Sequence, residues 1–193
     1  MSEFMLDLQR LCGDVETLPS VAELNAASQP FWDETMWATL QPVLGTRLWF
    51  EARVLLSRYQ MKVLRFEGQP PTRTALQLLT ITTVRNEARH ATLLAWDYAT
   101  RICTFFNPSG VPPRALHRFL YRHCKSLGFA FCISCAWPQT SATQDTCLPW
   151  TMLTALVLAQ RPPATWPHVT TSDLCLGMDP VRVIFAFMLA WKS

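Results

Sequence analysis

The sequence predicts an α+β fold, and two features carry that prediction. Two apolar segments, 91–96 and 101–106, are rich in leucine, β-branched and aromatic residues and flank the four-residue stretch 97–100, which is typical of a β-hairpin. Residues 147–160 are apolar on nearly all faces, which indicates a helix buried inside the domain. Strands and helices in separate stretches of a chain are the pattern of the α+β class.

The N-terminal half predicts further elements of both kinds. Residues 3–11 and 33–41 carry apolar side chains at helical spacing, which predicts two helices. The segments 47–58 and 61–66 fit a strand and a helix equally well. Residues 76–84 are rich in leucine and β-branched residues and predict a strand.

The C-terminal half begins with a basic helix predicted after Pro112-Pro113. An apolar strand is predicted over 129–137 and a polar loop over 138–146. Pro149 fits only the first turn of the buried helix, so that helix begins near Cys147. Another apolar helix is predicted over 180–191, with a proline at its first position.

Length and composition favour a single domain spanning residues 1–193. Half of the residues are apolar and 16% are charged, which excludes disorder of the whole chain. The longest dense apolar run, 183–191, is about half of the roughly 20 residues that a membrane-spanning helix needs. The N-terminus is acidic where a signal peptide would be basic, so we expect a soluble protein that is not secreted.

The net charge of +3 is unevenly distributed along the chain. Residues 1–45 hold seven acids and one base, and we interpret them as an acidic N-terminal extension or a groove-forming subregion. Residues 46–129 hold thirteen bases and four acids, which is compatible with nucleic-acid binding but is more often a solvated surface.

Seven cysteines at irregular spacings favour reduced thiols inside a cell, because a chain of this length needs no disulfides to fold. Cys132 and Cys135 form one C-x-x-C pair without a second pair to complete a zinc site. His123 and Cys124 can supply two more ligands, but in a strand the two cysteines point to opposite faces. No metal site is therefore predicted.

Cys147 is the candidate nucleophile. A thiol at the amino end of a helix lies beside unpaired N–H groups and the positive end of the helix dipole, which favour the reactive thiolate. The alternative is an inert cysteine of the core beside Leu148 and Trp150.

His90 is the candidate base, and the hairpin supplies a geometric test. If Trp96 and Arg101 close the loop, paired residue numbers sum to 197 and His90 lies opposite Asn107, with Cβ atoms about 5 Å apart. The Asn107 carbonyl can then accept the Nδ1–H of His90 and leave Nε2 free to take a proton from the thiol. Asp97 is seven residues from His90 along the same strand, about 23 Å, and is too far away. In isolation, each residue is more often structural: His90 as a histidine on an edge strand and Asn107 as an asparagine at the start of a loop.

Gln139 precedes Cys147 by eight residues, and its side-chain amide is a candidate oxyanion donor together with the Cys147 backbone N–H. Gln144 is the rival candidate, and either glutamine can instead be a solvated loop residue.

The chain resembles the adenovirus-type cysteine endopeptidases, the adenain-like viral maturation proteases, which are also found in adomaviruses. This family lies within the papain-like and ubiquitin-like-protein protease group. The resemblance runs over 90–166, and four motifs carry it: His90-Ala-Thr-Leu-Leu-Ala-Trp-Asp, Cys103-Thr-Phe-Phe-Asn107-Pro-Ser-Gly, Cys132-Ile, and Gln139 followed by Cys147 at the start of an apolar helix.

The resemblance implies a papain-like architecture, with a mixed or antiparallel central sheet and a buried helix that carries the nucleophile at its N-terminus. It implies Cys147 as nucleophile, His90 as base, Asn107 as the residue orienting His90 and Gln139 at the oxyanion. The substrates would be viral capsid and core precursors, in the virion and the host nucleus, and no membrane would be involved. The chemistry needs no cofactor, but DNA and a short viral peptide would activate the enzyme, and Cys132 lies near the cysteine that forms a disulfide with that peptide.

The sequence differs from the usual pattern of this family at three places. Ala91 stands where the family usually has Trp, Leu148 where Gly commonly follows the nucleophile, and the spacing from glutamine to cysteine is one residue longer. Two alternatives therefore stay open: a protease of ubiquitin or ubiquitin-like modifiers with the same site, and a catalytically inactive virion protein of the same fold.

Overall fold

A six-stranded mixed sheet organises the computed structural model, with strand order β2-β1-β3-β4-β5-β6. The described residues are 3–32, 44, 48–56, 61–66, 74–83, 89–140 and 145–192. The strands are β1 (Leu48–Leu56), β2 (Met61–Phe66), β3 (Thr74–Thr83), β4 (Arg89–Asp97), β5 (Ile102–Phe106) and β6 (Ala130–Ile133). β1 is parallel to β3 and β5 is parallel to β6, whereas the other neighbours are antiparallel.

Six α-helices accompany the sheet in the described part of the chain. They are α1 (Glu3–Asp14), α2 (Val21–Ser28), α3 (Arg114–Ser126), α4 (Cys147–Ala159), α5 (Thr171–Cys175) and α6 (Pro180–Lys192). Short 3-10 helices cover Gln29–Trp32 and Pro163–His168.

The two faces of the sheet are covered differently because side chains alternate along each strand. Leu93 and Ala95 of β4 belong to a core shared with α1, α2, α4 and α6. Leu94 and Trp96 of the same strand belong to a smaller core under α3. The sheet is therefore covered by helices on both faces.

α4 is the most deeply buried helix that the structure describes. Every residue from Cys147 to Leu158 is buried, and the helix packs against β4 and α6. α3, by contrast, buries only one side, through Leu116, Leu120 and Cys124. The structure confirms an α+β fold with a mixed sheet and a buried helix that begins at Cys147.

Several predicted elements are confirmed or decided by the structure. The helix predicted over 3–11 is α1, and the helix predicted over 180–191 is α6. The described parts of both ambiguous segments, Leu48–Leu56 and Met61–Phe66, form strands. The helix predicted over 33–41 lies outside the described residues.

The strand predicted over 129–137 is too long, because β6 covers only Ala130–Ile133. β5, its neighbour in the sheet, ends at Phe106, and the last contact between them is the Ser134 N–H donating to the Phe105 carbonyl at 2.9 Å. Beyond that point the apolar chain has no described strand beside it. Strand length is set here by the partner and not by the apolar run itself.

No helix in the described part of the chain is long and apolar enough to cross a membrane. All seven cysteines fall within the described residues, and each is a free thiol.

Candidate active site

Cys147 is the first residue of α4 and is only 2% exposed. Thr146 precedes it without a side-chain cap, so the first N–H groups of α4 have no partner from that hydroxyl. The Cys147 carbonyl accepts a hydrogen bond from the Thr151 hydroxyl at 2.8 Å, one turn further along the helix. The thiol therefore occupies the predicted position at the N-terminus of a buried helix.

The Cys147 thiol lies against the backbone of the strand that carries His90. The Ala91 N–H donates to Sγ of Cys147 at 3.4 Å. The β4–β5 pairing ends with Leu93 opposite Phe106, so Ala91 lies beyond the last paired residues on that side. The early end of β5 leaves room for the thiol beside β4.

The hairpin has a different register from the predicted one. Asp97 pairs with Ile102, so paired numbers sum to 199 and not to 197, and His90 is not directly opposite Asn107. The Asp97 carboxylate causes this shift, because it accepts from the Ala99 N–H at 3.0 Å and from the Thr100 hydroxyl at 2.7 Å and so ends the strand at residue 97. The pairing sum of β4 and β5 changes by two, so His90 and Asn107 still lie on the same face of the sheet. They are now diagonal neighbours, which are close enough for their side chains to meet.

His90 and Asn107 are in contact despite the shifted register. Nε2 of His90 lies 2.6 Å from Oδ1 of Asn107. The Asn107 Nδ2–H donates to the Gly110 carbonyl at 2.7 Å, and this contact aims Oδ1 at the imidazole. Since Oδ1 can only accept, Nε2 carries the proton in this contact.

The predicted tautomer is therefore wrong. The expectation was an Nδ1–H bonded to Asn107 with Nε2 free, and the structure has the opposite assignment. The side-chain hydrogen bonds of His90 to described residues all involve Nε2, so Nδ1 is the nitrogen left to accept a proton.

The turn that follows β5 supports Asn107. The Gly110 N–H donates to the Asn107 carbonyl at 3.1 Å, and Gly110 has a φ of 107°, which favours glycine. Ser109 is a member of the site that sequence reasoning missed. Its hydroxyl donates to Oδ1 of Asn107 at 3.0 Å and lies 3.2 Å from Nε2 of His90. The signal was the Asn-Pro-Ser-Gly turn itself, which places a serine two residues after the asparagine.

Gln139 lies beside this turn, because its backbone N–H donates to the Pro108 carbonyl at 3.0 Å. The structure thus brings Gln139 to the His90–Asn107 side of the site. Its role at the oxyanion stays a prediction. The rival, Gln144, lies outside the described residues.

The thiol and the imidazole are not joined by a hydrogen bond in the described part of the chain. The pKa of the Cys147 thiol is raised to about 11, mainly by burial; the N–H groups of Ala91 and Leu148 lower it, and the Asp145 carboxylate raises it. Burial also lowers the pKa of His90, against the opposing effect of Asn107. Burial thus outweighs the predicted stabilisation of the thiolate at the helix start, and both groups are neutral near pH 7.

Leu148, one of the departures from the family, points into the core and is fully buried. The side chain packs in the same core as Trp150 and Leu153 of α4. Leu148 is not among the residues that line the cleft at the thiol.

A cleft of about 420 Å³ opens at Cys147. One wall comes from the N-terminal part of the chain and the other from β4 and the turn before α4; the lining residues are Asn25, Ser28, Gln29, Trp32, Arg89, Asp145 and Cys147. The Ser28 hydroxyl donates to the Asp145 carbonyl at 2.6 Å and ties the two walls together. Of these residues, only Cys147 was identified from the sequence.

Cys132 lies half-buried in β6, and burial, followed by the neighbouring Cys135, raises its pKa. A disulfide between Cys132 and an activating peptide stays a prediction. Within the described residues, no three His, Cys, Asp or Glu side chains are grouped so that they could hold a metal ion.

Comparisons with known proteins place few limits on the chain. No protein-family model and no curated protein matches it. Among solved structures, the crystal structure of the Legionella pneumophila effector protein RavZ is similar, with a TM-score of 0.36 and 14% sequence identity. The match covers 61% of this chain and 39% of the RavZ chain. A likeness this low does not establish a family or a function, so the resemblance to adenovirus-type endopeptidases stays a prediction.

Proposed function

We propose that the chain is a cysteine endopeptidase with Cys147 as nucleophile, His90 as base and Asn107 as the residue that orients His90. One arrangement carries the proposal: the Asn107 amide, held by the Gly110 carbonyl, fixes His90 through a 2.6 Å contact, and the N–H of the next residue, Ala91, donates to the thiol that begins α4. Nucleophilic catalysis requires a nucleophile, a base that takes its proton and a group that orients the base. Cys147, His90 and Asn107 can fill these three roles.

The raised pKa of Cys147 and the lowered pKa of His90 favour a resting site with a neutral thiol and a neutral imidazole. In the proposed reaction, Nδ1 of His90 takes the Sγ–H proton while sulfur attacks the peptide carbonyl carbon. The carbon–nitrogen bond then breaks, and the imidazolium returns the proton to the leaving amine. Water, deprotonated by His90, hydrolyses the thioester and regenerates the thiol.

The oxyanion would be stabilised by the Cys147 backbone N–H and the Gln139 side-chain amide. The first N–H groups of α4 supply additional positive potential, because the helix dipole points its positive end toward this position. Leu148 does not oppose this arrangement, since its side chain is buried in the core.

The finer form of the proposal is a viral maturation protease that cleaves capsid or core precursors. It rests on the resemblance described above. DNA activation is part of the same proposal, and the exposed cations Arg114, Arg118, Arg122 and Lys125 of α3 supply a surface on which to test it. A protease of ubiquitin-like modifiers would use the same residues on a different substrate.

An inactive protein of the same fold is the second candidate, and the state of the thiol favours it. Cys147 is buried, and its pKa is raised to about 11. Its thiol has no hydrogen bond to His90 in the described part of the chain. Apo sites often tighten only when substrate binds, so the two candidates make different experimental predictions. In an active enzyme, substrate binding brings His90 to the thiol. In an inactive one, no substrate activates it.

Labelling of Cys147 separates these candidates. We expect iodoacetamide to alkylate Cys147 slowly at pH 7 and faster as the pH approaches 11. A library of peptides that carry a C-terminal electrophile should label Cys147 at pH 7 in the wild type and not in His90→Ala, with sites read by peptide mapping. Exposed Cys135 serves as the internal control for reagent quality. If no peptide electrophile labels Cys147 faster than iodoacetamide does, with or without DNA, the protease proposal is wrong.

A further inference from the structure

The cleft in front of Cys147 contains two exposed charges of opposite sign. Arg89 lies at the start of β4, one residue before His90, and Asp145 lies two residues before Cys147. Both side chains are exposed, and neither forms a salt bridge with another described residue. A substrate in the cleft therefore meets charges that the described part of the protein has not neutralised.

We propose that this cleft selects substrates with a lysine or arginine side chain next to the scissile bond, and that the Asp145 carboxylate is the residue that binds it. The inference rests on the proposed protease function and names its substrate class. Three observations carry it: the anchoring of the Asp145 backbone, the lack of positive charge on the opposite wall and the effect of Asp145 on the nucleophile.

Asp145 is held in place by its own backbone. Its carbonyl accepts the Ser28 hydroxyl at 2.6 Å, and Ser28 is buried at the C-terminal end of α2. The turn that carries the carboxylate is therefore tied to the opposite wall of the cleft. A carboxylate on a fixed backbone discriminates better than one on a mobile backbone, because less backbone freedom is lost when the substrate binds.

The wall of the cleft opposite β4 has no positive charge among its lining residues. Asn25, Ser28, Gln29 and Trp32 are all uncharged. This wall therefore does not repel a basic side chain that binds at Asp145. Arg89 is the one lining residue that opposes a basic side chain.

The third observation links binding to chemistry. The Asp145 carboxylate contributes to the raised pKa of Cys147, after burial as the main cause. A substrate ammonium or guanidinium bound at Asp145 would offset that contribution and ease deprotonation of the thiol when the substrate arrives. The charged and titratable groups that line the cleft around the thiol are Arg89 of β4 and Asp145, with His90 adjacent to Arg89.

The test begins with a proteome-derived peptide library, whose cleaved ends are read by mass spectrometry. The best substrate is then made in three forms, with lysine, glutamine or glutamate at the position that the library indicates. We expect Asp145→Asn to lower kcat/KM for the lysine form, relative to the glutamine form, roughly three- to tenfold. Asp145→Lys should reverse the preference toward glutamate, and Arg89→Gln should strengthen the preference for lysine.

A second readout distinguishes charge recognition from structural damage. Asp145→Asn should slow the cleavage of lysine peptides more than that of glutamine peptides, whereas damage to the fold slows both alike and lowers the thermal unfolding temperature. Asp7→Asn is the matched control, because Asp7 is an exposed acid on α1, far along the chain from the cleft residues, and should change neither.

The experiments distinguish failure of the substrate preference from failure of the protease proposal. If peptides are cleaved but the lysine, glutamine and glutamate forms react equally, or glutamate is preferred and Arg89→Gln abolishes that preference, the inference is wrong and the protease proposal stands. If nothing is cleaved and no peptide electrophile labels Cys147, both are wrong.

Discussion

The candidate site has two halves, His90 with Asn107 and the Cys147 thiol, and only the first is already in an arrangement suited to catalysis. His90 is held by local contacts within one hairpin and the turn after it, with Asn107 and Ser109 both in hydrogen-bond range. Cys147 is held by long-range contacts, with Ala91 bonded to its sulfur and Ser28 bonded to the residue two before it. The base is oriented in advance, whereas the nucleophile is buried as a neutral thiol. The difference suggests that substrate binding must act on the cysteine half.

Replacement of the nucleophile should have the largest effect. We expect Cys147→Ala to reduce peptide cleavage by at least about 10⁴-fold, because no other group at the helix start can form the thioester. Cys175→Ala is the matched control, since Cys175 is equally buried in the same core and loses the same volume. The assay is single-turnover peptide cleavage with thermal unfolding in parallel. Cleavage that persists in Cys147→Ala would exclude Cys147 as the nucleophile.

Replacement of the base should rank second. His90→Ala should lower kcat/KM about 10³-fold, because proton transfer to an oriented imidazole is lost. His117→Ala removes an exposed histidine of α3 and should leave cleavage within twofold of the wild type. A wild-type rate in His90→Ala would contradict the assigned base.

Asn107 tests the orientation of the base directly. Asn107→Leu should lower kcat/KM about 10²-fold, because the imidazole loses the acceptor at 2.6 Å. Asn107→Asp keeps an acceptor and adds a negative charge, which favours the protonated imidazole and raises the pKa of His90. The acidic limb of the pH profile of kcat/KM should therefore move to higher pH in Asn107→Asp. If the limb does not move, Asn107 does not act through His90.

The turn behind Asn107 is expected to contribute less. Gly110→Ala places a side chain at a φ of 107° and should cost about 1–3 kcal/mol of stability, with a several-fold loss of cleavage as the Asn107 amide moves. Gly13→Ala in α1 is the control, and its expected effect on stability is neutral or opposite to that of Gly110→Ala. A Cβ at Gly13 meets nothing within 4 Å, so alanine there should be neutral or should stabilise the helix by about 0.5–1 kcal/mol. Urea unfolding measures both.

The smallest effect is the pH dependence of stability that His90 contributes. Its pKa in the folded chain is lowered by burial, whereas the unfolded value is about 6.5, so the unfolded chain binds more protons as the pH falls below about 6.5. Stability should therefore decline below that pH and level off below the folded pKa. Urea unfolding between pH 5 and 8 should show a shallower decline in His90→Gln. The residual decline includes His123, whose pKa burial also lowers.

Much of this site could be predicted from local pattern. The hairpin, the apolar helix beginning at Cys147 and the nearness of His90 to Asn107 follow from strand alternation, proline position and turn chemistry, all of which act over a few residues. The exact register could not be predicted, because the Asp97 side chain ends the strand by binding two residues of the loop. Because the register differs by an even number of residues, His90 and Asn107 still lie on the same face of the sheet. The predicted contact between the base and the residue that orients it therefore still forms.

The sequence by itself determined the fold class, the position of Cys147 at a helix start and the residues that can orient His90. The tertiary structure alone decided the tautomer of His90, the raised pKa of Cys147 and the cleft that Ser28 and Asp145 share. These depend on burial and on contacts between residues as far apart as 28 and 145, and neither follows from local periodicity. A thiol at a helix start is favoured as thiolate in water, and only the packing around it shows that desolvation is the larger effect.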